Sequence, residues 1–425
     1  MIMGRHVQMV VAAALLMLLR TSAQVSGPGE WNWRADAESK AWQRKLSESA
    51  DVRVWEGVAA DRRTRTIEIL AETTGISAGL ETEFLLIGAK SDRAYEAVFV
   101  AKNDGDAVLK AAEFIGISKG RPVNPRSLVF YPRGERFTVE VRRLKDESGD
   151  SVGRWIQDTR DPECLVRGFT FTGGEDWKGT TIPASIISMY NEPCSMFDLP
   201  FQAAKGVVYG RFRAAKKVAM HEKVVVVLKF LPTADGGPRS VDRIISFGPD
   251  TKVTDVVRDL RVASEAGHDL FVTVKADDAA TMENLRALAK VLTMLDAADG
   301  AVRLDRPGEG EFYPNAFLPE DGWRVRTARP FQPWELHLGP TNRFVFVGED
   351  WTGPGLEPKL LPREFVLNGA EDLAAAIRAV DDPEKPMDTL LIFCSSGTSA
   401  GEIRKWLKPY WKRLPKLWIF TEETK

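Results

Sequence analysis

A serine between two glycines is the first group in this sequence that could do chemistry. The Gly-Thr-Ser-Ala-Gly run at 397–401 follows an apolar, strand-like stretch and precedes a helical one. This is the context of a nucleophile elbow, in which a tight turn exposes a serine hydroxyl. The serine, Ser399, would need a histidine base, and no histidine follows His337. The alternative is that Ser399 caps the next helix, whose free N–H groups could also bind an anion.

Carboxylates on neighbouring predicted strands form a second candidate. Glu81 and Glu83 lie at the start of one strand and Glu96 lies in the next. Two carboxylates that converge can act as general acid and general base, so Glu81 and Glu96 are the residues for a hydrolase alternative. Alternation places Glu81 and Glu83 on one face, while the face of Glu96 stays open. Solvated strand faces, with Lys or Arg opposite, are the other interpretation.

A polar corner ends a later strand. Tyr190, Asn191 and Glu192 follow an apolar run and precede a proline. Polar side chains at the end of a strand often gather in a site, although Asn and Pro also favour turns by nature. We predict a binding site formed by Glu96, Tyr190, Asn191 and Glu192, and we assign no catalytic residue.

Composition argues against metal, cofactor and nucleic-acid functions. The four histidines (His6, His221, His268, His337) are scattered, without the spacing of a metal site. The net charge of −2 combines interspersed acidic and basic residues, which gives no nucleic-acid footprint. Of the three cysteines, Cys164 and Cys194 could form a disulfide after export, and Cys394 has the surroundings of a buried thiol.

The first 23 residues have the pattern of a cleavable signal peptide. Arg5 and His6 precede the apolar run 7–19, and Thr-Ser-Ala at 21–23 resembles a cleavage site. We therefore expect a periplasmic or secreted protein that does not span the membrane after cleavage near Ala23. Residues 24–50 contain Trp31, Trp33 and Trp42 and a predicted helix near 36–46; we expect the tryptophans to hold this segment on the next domain.

Residues 51–213 read as one α+β domain. Apolar and β-branched runs predict six strands and helical spacing predicts one helix at 104–115. The predicted strands are Thr66–Ala71, Glu81–Ile87, Ala94–Ala101, Phe137–Val141, Phe169–Thr172 and Ile182–Tyr190.

Part of this domain resembles the YdjY-domain family. The resemblance covers about residues 65–212 and rests on the Tyr-Glu-Ala-Val-Phe-Val strand at 95–100, the Phe-Thr-Phe-Thr-Gly strand at 169–173, and the tail Tyr-Asn-Glu-Pro at 190–193. It implies an exported protein with a mixed α+β domain. The family usually has a histidine before the glutamate of the second strand, where this chain has Tyr95, so a role that depends on that imidazole does not transfer.

The second half predicts two related α/β modules, at 222–305 and 341–425. Each has the order helix, strand, helix, strand, about 120 residues apart, and each follows strand-like sequence (224–230 and 244–247; 344–348 and 364–366). Residues 306–340, rich in Pro and Gly, are predicted to be a connection. The element order is similar to that of the periplasmic modules of TolR- and ExbD-type proteins.

These patterns favour a non-catalytic binding or assembly protein of the cell envelope with a protein partner. A hydrolase that uses Ser399, or Glu81 with Glu96, is one alternative. A small-ligand binder at the corner formed by Tyr190, Asn191 and Glu192 is another.

Overall fold

A computed structural model describes residues 31, 33, 37–46, 49–103, 105–124, 129, 131–175, 185–203, 205–294, 299–303, 315–316, 334–350, 359–381, 389–407 and 416–421. The chain divides into two compact units. The first comprises Met1–Pro122, Arg136–Leu199 and Ala203–Leu231; the second comprises Val123–Glu135, Pro200–Gln202 and Pro232–Lys425. Each is described by itself.

The first unit is built on a sheet that closes on itself. Its strands are β1 (Val52–Trp55), β2 (Val58–Asp61), β3 (Thr66–Thr74), β4 (Phe84–Ile87), β5 (Ala97–Ala101), β6 (Arg136–Arg143), β7 (Asp150–Ser151), β8 (Ile156–Asp158), β9 (Phe169–Phe171), β10 (Ser185–Ser188), β11 (Phe197–Asp198), β12 (Phe212–Ala214) and β13 (Met220–Leu231). Eight of them pair in the order β3-β13-β6-β9-β11-β10-β4-β5, and β5 pairs again with β3. These eight strands are called the closed sheet below.

Short elements surround the closed sheet. β1 and β2 extend it beside β3, β7 pairs with β6, and β8 with β12 forms a separate two-stranded sheet. The helices of this unit are α1 (Ala37–Lys45), α2 (Asp106–Phe114) and α3 (Lys205–Val208). Each predicted strand of the first half and its helix have a counterpart, but two strands begin later than predicted. β4 begins at Phe84, so that Glu81 and Glu83 precede it. β5 begins at Ala97, so that Glu96 lies in a 3₁₀ turn (Ala94–Glu96) before the strand instead of in it, and the predicted strand residues 182–184 lie outside the described residues.

Alternation along β6 explains the core of this unit. Phe137, Val139 and Val141 are buried, whereas the residues between them are half-buried. The Phe137 ring meets the rings of Phe171 and Phe197 edge-on, with centroids 6.2 and 5.5 Å away. Edge-to-face aromatic contacts add to the burial of apolar area, and together they hold β6, β9 and β11 to one another.

Strand β13 belongs to this unit, which differs from the sequence prediction. The sequence placed 224–230 ahead of the first α/β module and ended the first domain at 213. In the structure β13 pairs antiparallel with β3 on one side and with β6 on the other. The apolar run 224–228 is buried throughout, as a strand with neighbours on both edges and both faces requires. The first unit therefore extends to Leu231.

The second unit holds two sheets flanked by helices. Its strands are β14 (Ser240–Phe247), β15 (Asp269–Ala276), β16 (Asp299–Arg303), β17 (Asn315–Ala316), β18 (Trp334–Leu338), β19 (Asn342–Asp350), β20 (Lys359–Leu367), β21 (Thr389–Cys394) and β22 (Lys416–Thr421); its helices are α4 (Val253–Glu265), α5 (Met282–Met294), α6 (Ala370–Val380) and α7 (Ala400–Leu407). One sheet is parallel, in the order β14-β15-β16; the other is mixed, in the order β17-β22-β21-β18-β19-β20.

The predicted helix–strand–helix–strand order occurs twice in this unit, as α4-β15-α5-β16 and as α6-β21-α7-β22. One buried apolar cluster contains residues of both, among them Leu285 of α5 and Ile403 of α7. The predicted connection at 306–340 contains β18, a strand inside the six-stranded sheet that pairs with β19 and β21. That part of the prediction was wrong, because the short Trp-Glu-Leu-His-Leu run alternates like a strand. In the second module the spacing of apolar residues predicts the last helix at 402–413, and its part beyond Leu407 lies outside the described residues.

The chain is an α+β protein, as the sequence predicted. Among the described residues no helix has the length and apolar character needed to cross a membrane. The predicted signal peptide at 1–23 lies outside the residues that the structure describes.

Candidate functional site

The polar corner after β10 folds back on itself. The hydroxyl of Tyr190 donates a hydrogen bond to Glu192 Oε2 at 2.9 Å, and the hydroxyl of Ser185 donates to Glu192 Oε1. Burial raises the pKa of Glu192, although the hydrogen bonds from Ser185 and Tyr190 oppose the rise. Burial and the neighbouring Glu192 also raise the pKa of Tyr190, so the phenol stays a neutral donor. Asn191 is buried, and its backbone N–H donates to Ala203 O at 2.8 Å.

Glu96 joins this corner through a network of ion pairs. Arg93 Nη1 lies 3.0 Å from Glu96 Oε1 and 3.9 Å from Glu83 Oε2. Lys205 Nζ lies 2.5 Å from the same oxygen of Glu83 and 5.2 Å from the centre of the Tyr190 ring. Burial and the nearby Glu83 raise the pKa of Glu96, while Arg93 and Lys205 lower it. Thus Glu96, Tyr190 and Glu192 lie in one region, and two cations compensate its outer carboxylates.

The structure does not pair Glu81 with Glu96. Glu81 Oε1 accepts a hydrogen bond from the backbone N–H of Gly210 at 2.5 Å, and its backbone bridges to Arg213. The carboxylate beside Glu96 is Glu83, whose backbone N–H also donates to Glu96 O at 3.0 Å. An acid–base pair made of Glu81 and Glu96 therefore receives no support from the geometry, because Glu81 holds the turn before β12.

Next to the corner lie a buried carboxyl group and a half-buried thiol. Asp198 is fully buried, and within the described part of the chain neither of its oxygens has a hydrogen bond of standard geometry, although the Ser195 hydroxyl and the Glu192 amide lie near. Burial raises the pKa of Asp198 well above its usual range, and Glu192 raises it further. Burial and Glu192 raise the pKa of the Cys194 thiol to about 12, and Cys194 is a free cysteine. A thiol with that pKa is a poor nucleophile at neutral pH. The side chain of Cys164 lies outside the described residues.

Large apolar side chains at the rim of the network are exposed. Tyr95 is 55% exposed and directly precedes Glu96; Tyr209 is 67% exposed and follows α3, which carries Lys205. Leu80, 37% exposed, precedes Glu81. These three residues neighbour Glu81, Glu96 and the Lys205 helix along the chain, and we call the set Leu80, Arg93, Tyr95, Lys205 and Tyr209 the tyrosine patch. It combines exposed aromatic area with arginine and lysine whose charges are already paired with glutamates.

In the second unit, Ser399 is a helix cap. Its hydroxyl accepts a hydrogen bond from the Glu402 N–H at 3.1 Å, in the first turn of α7. The N–H groups of Ala400 and Gly401 donate to Ala280 O at 2.9 Å and Asp278 O at 3.0 Å. The capping interpretation of this loop is therefore the one that the structure bears out, and these N–H groups are already bonded to carbonyls instead of being free for an anion.

A cleft of about 690 Å³ opens at the carboxyl ends of β18 and β21, where ligands of open α/β sheets often bind. Its lining includes His337, Arg343, Ser395, Thr398 and Glu402. His337 stacks on Phe393 with ring centroids 4.6 Å apart, and its Nε2 lies 3.1 Å from Glu335 Oε2. The charges along the lining are mixed, so the cleft does not select one class of ligand. Among the described residues no cluster of His, Cys, Asp and Glu could hold a metal ion.

A second buried polar cluster escaped the sequence analysis. Glu72 of β3 is fully buried beside Lys223 of β13, and His221 and Trp31 also contact its carboxylate. Two features of the sequence could have indicated this cluster. His-Glu-Lys at 221–223 directly precedes the apolar run 224–228, and Glu72 directly follows the predicted strand 66–71. Charged residues at such positions are usually solvated, and only the pairing of β3 with β13 brings these two together.

Comparison of the chain with protein families, characterised proteins and solved structures finds no match.

Proposed function

We propose that the protein is a non-catalytic binding or assembly protein of the cell envelope, and that its first unit holds a protein partner at the tyrosine patch. The observation that carries this proposal is the exposure of Tyr95 and Tyr209 around an ion-pair network that the protein completes by itself. Exposed groups of large apolar side chains bounded by charge are typical of interaction surfaces.

The composition of the tyrosine patch favours a protein as the ligand. Tyrosine and arginine are enriched at interfaces and among the residues that contribute most to binding. A tyrosine also buries much area while losing little rotamer freedom. Since Glu83 and Glu96 already fix Arg93 and Lys205, a partner would meet a surface whose charged groups are held in place before it binds.

The groups that a hydrolase would need are engaged elsewhere. Ser399 caps α7, the carboxylates of Glu83 and Glu96 are paired with cations, and the Cys194 thiol has a raised pKa. These contacts support binding over catalysis at the candidate positions.

We further propose that the first unit is an exported YdjY-like domain and that the two α/β modules of the second unit are related repeats. Reciprocal bonds between the loops before α5 and α7 support the second point. Met282 N–H donates to Thr398 O and Ala400 N–H donates to Ala280 O, both at 2.9 Å. The two donors are 118 positions apart in the sequence, and so are the two acceptors. Thr281 and Ser399, also 118 positions apart, lie opposite each other. Such reciprocity is what a two-fold relation between two copies produces.

The proposed interface is tested by removing its two exposed rings. The variant Tyr95→Ser with Tyr209→Ser is compared with wild type in cross-linking and affinity capture from envelope extract. We expect the variant to recover a partner at least tenfold less well, with the thermal stability changed by less than about 0.5 kcal/mol, because exposed side chains contribute little to folding.

The matched control is Ile244→Ser, which removes an exposed apolar side chain of the second unit. It should recover the partner as wild type does. Equal recovery by wild type and the double tyrosine variant, or no partner specific to wild type, would contradict the proposal.

A further inference from the structure

Glu72 is the centre of a charged cluster buried on one face of the closed sheet. Lys223, directly opposite on β13, donates to Glu72 Oε1. Trp31 Nε1–H donates to Glu72 Oε2 at 2.6 Å, and His221 Nδ1 lies 2.7 Å from that oxygen. A buried carboxyl group needs partners for its oxygens, and each of these three groups supplies one.

The backbone beside this cluster is irregular. The register of β13 against β3 shifts between Met220 and Lys223, and His221 has φ of 64°, a left-handed conformation that is uncommon for residues other than glycine. The Glu222 N–H donates to the Thr73 hydroxyl at 2.9 Å, which holds the irregular turn. Bulges and left-handed residues re-aim side chains and are common at binding sites. Here the bulge turns the His221 imidazole towards Glu72.

Trp31 contacts this cluster with its ring as well as with its N–H. Its ring lies over His221 with centroids 4.8 Å apart and the planes tilted by 41°. The Trp33 ring lies 4.9 Å from Lys223 Nζ, within the range of a cation–π interaction. Three groups therefore contact the two tryptophans of a Trp-X-Trp segment. The carboxylate accepts from the indole N–H, the imidazole lies against the same ring, and the lysine lies near the second ring.

Side chains hold this segment on the closed sheet. In the part of the chain that the structure describes, the main chain of Trp31 and Trp33 forms one hydrogen bond, from Trp33 N–H to Trp31 O at 3.1 Å. Among the described residues the buried indole nitrogen of Trp33 has no hydrogen-bond partner. Trp42, the sixth residue of α1, packs with Leu70, Val225 and Val227, so α1 is held on the closed sheet without Trp31.

We propose that Glu72, His221 and Lys223 form a tryptophan-binding pocket for a Trp-containing segment of a partner protein, and that Trp31 occupies it as a built-in competitor. This inference is independent of the tyrosine patch, because it concerns other residues. Phenylalanine would fill the space but leave Glu72 without the indole donor, so the pocket selects an aromatic group that carries an N–H.

The test uses the full chain with Trp31→Ala and two probes, N-acetyltryptophanamide and its 1-methylindole analogue, in calorimetric titrations. We expect the first probe to bind the variant at least tenfold more tightly than wild type, because Trp31 no longer competes. We expect the methylated probe, which has no N–H to donate, to bind the variant at least tenfold more weakly than the first. Absence of binding to the folded variant, or equal binding of both probes, would overturn the pocket.

Trp42→Ala is the matched control, because Trp42 is a buried tryptophan of the same segment whose indole nitrogen has no hydrogen-bond partner among the described residues. Its cavity should take both probes alike. Trp31→Phe, which keeps a ring and removes the donor, replaces Trp31→Ala if the latter fails to fold. It should bind N-acetyltryptophanamide at least threefold more tightly than wild type, and equal affinity would overturn competition by Trp31.

A peptide of residues 26–35 distinguishes a partner from a second copy. Supplied in trans, it should bind Trp31→Ala more tightly than wild type, while both proteins remain monomers in sedimentation experiments. A wild-type dimer that Trp31→Ala abolishes would assign the pocket to the segment of a second copy and overturn the assignment to a partner.

Discussion

Burial dominates the ionisation of the acidic groups around β10 and β11. It is the largest cause of the raised pKa of Glu192, of Asp198 and of the Cys194 thiol. For Glu192, hydroxyl donors oppose burial; for Asp198, the nearby Glu192 reinforces it. The folded protein therefore binds a proton at Asp198 more tightly than the unfolded chain does, and a group of this kind destabilises the fold when it ionises.

Asp198→Asn should stabilise the protein at alkaline pH. An acid whose pKa is raised by folding contributes stability at low pH that is lost as the pH rises from the unfolded value through the folded one. We expect the amide, which cannot ionise, to raise the free energy of unfolding by at least about 1.4 kcal/mol at pH 8, the equivalent of a one-unit change in pKa, and to change it little at pH 4. Urea unfolding at both pH values measures this.

The control is Asp259→Asn, which changes an exposed carboxylate on α4 and should leave both values unchanged. A loss of stability at pH 8 in Asp198→Asn would show that the carboxylate has a favourable partner and would contradict this account.

At the scale of elements, the loops before α5 and α7 form a contact between the two α/β modules. Parallel strands normally present such loops to ligands. Here they bond to each other, and Arg404 of α7 adds an ion pair with Asp278 and a hydrogen bond to Ala276 O at 2.7 Å. The caps also correspond: Thr281 Oγ1 accepts from Asn284 N–H at 3.3 Å, as Ser399 accepts from Glu402 N–H.

Ser399→Ala should therefore lower stability and remove no nucleophile. Loss of an N-cap costs about 1 kcal/mol, and Thr281→Ala, the corresponding change at α5, should cost a similar amount. Thermal unfolding measures both, with Ser246→Ala at an exposed position of β14 as the control. If a fluorophosphonate probe labels wild type but not Ser399→Ala, while stability stays unchanged, the serine is a nucleophile and the capping account is wrong.

Local patterns in the sequence predicted elements well and their partners poorly. Alternating residues such as Phe137, Val139 and Val141 mark β6 without reference to the rest of the chain. The choice of partners for β13 depends on which edges of β3 and β6 are unpaired, and that information lies more than 70 positions away. The run at 224–228 is apolar at every position, so it fits a central strand of either unit equally well.

The same limit applies to the candidate site: individual polar residues could be predicted from the sequence, whereas their partners could not. The sequence pointed to Glu96, Tyr190 and Glu192 because polar residues next to apolar strands are conspicuous, and these three do lie in one region. The ion pairs of Arg93 and Lys205 with Glu83 were not predicted, because residues that pair between loops follow no periodic pattern in the sequence. Glu72 was missed as well, because its burial depends on Lys223, about 150 positions away.

At the scale of the whole molecule, the position of β13 sets where the chain can be cut. A chain that ends at residue 213, the boundary read from the sequence, lacks the strand between β3 and β6 and opens the closed sheet along both edges. A chain of residues 24–231 keeps all eight strands. We expect the longer chain to unfold cooperatively with dispersed amide resonances, and the shorter one to be collapsed or aggregated, because two unpaired edges and one apolar face are exposed. A chain that ends at residue 219 is the control for length alone and should behave like the shorter one. Cooperative unfolding of the 24–213 chain would show that β13 is dispensable and would return the boundary to the position that the sequence suggested.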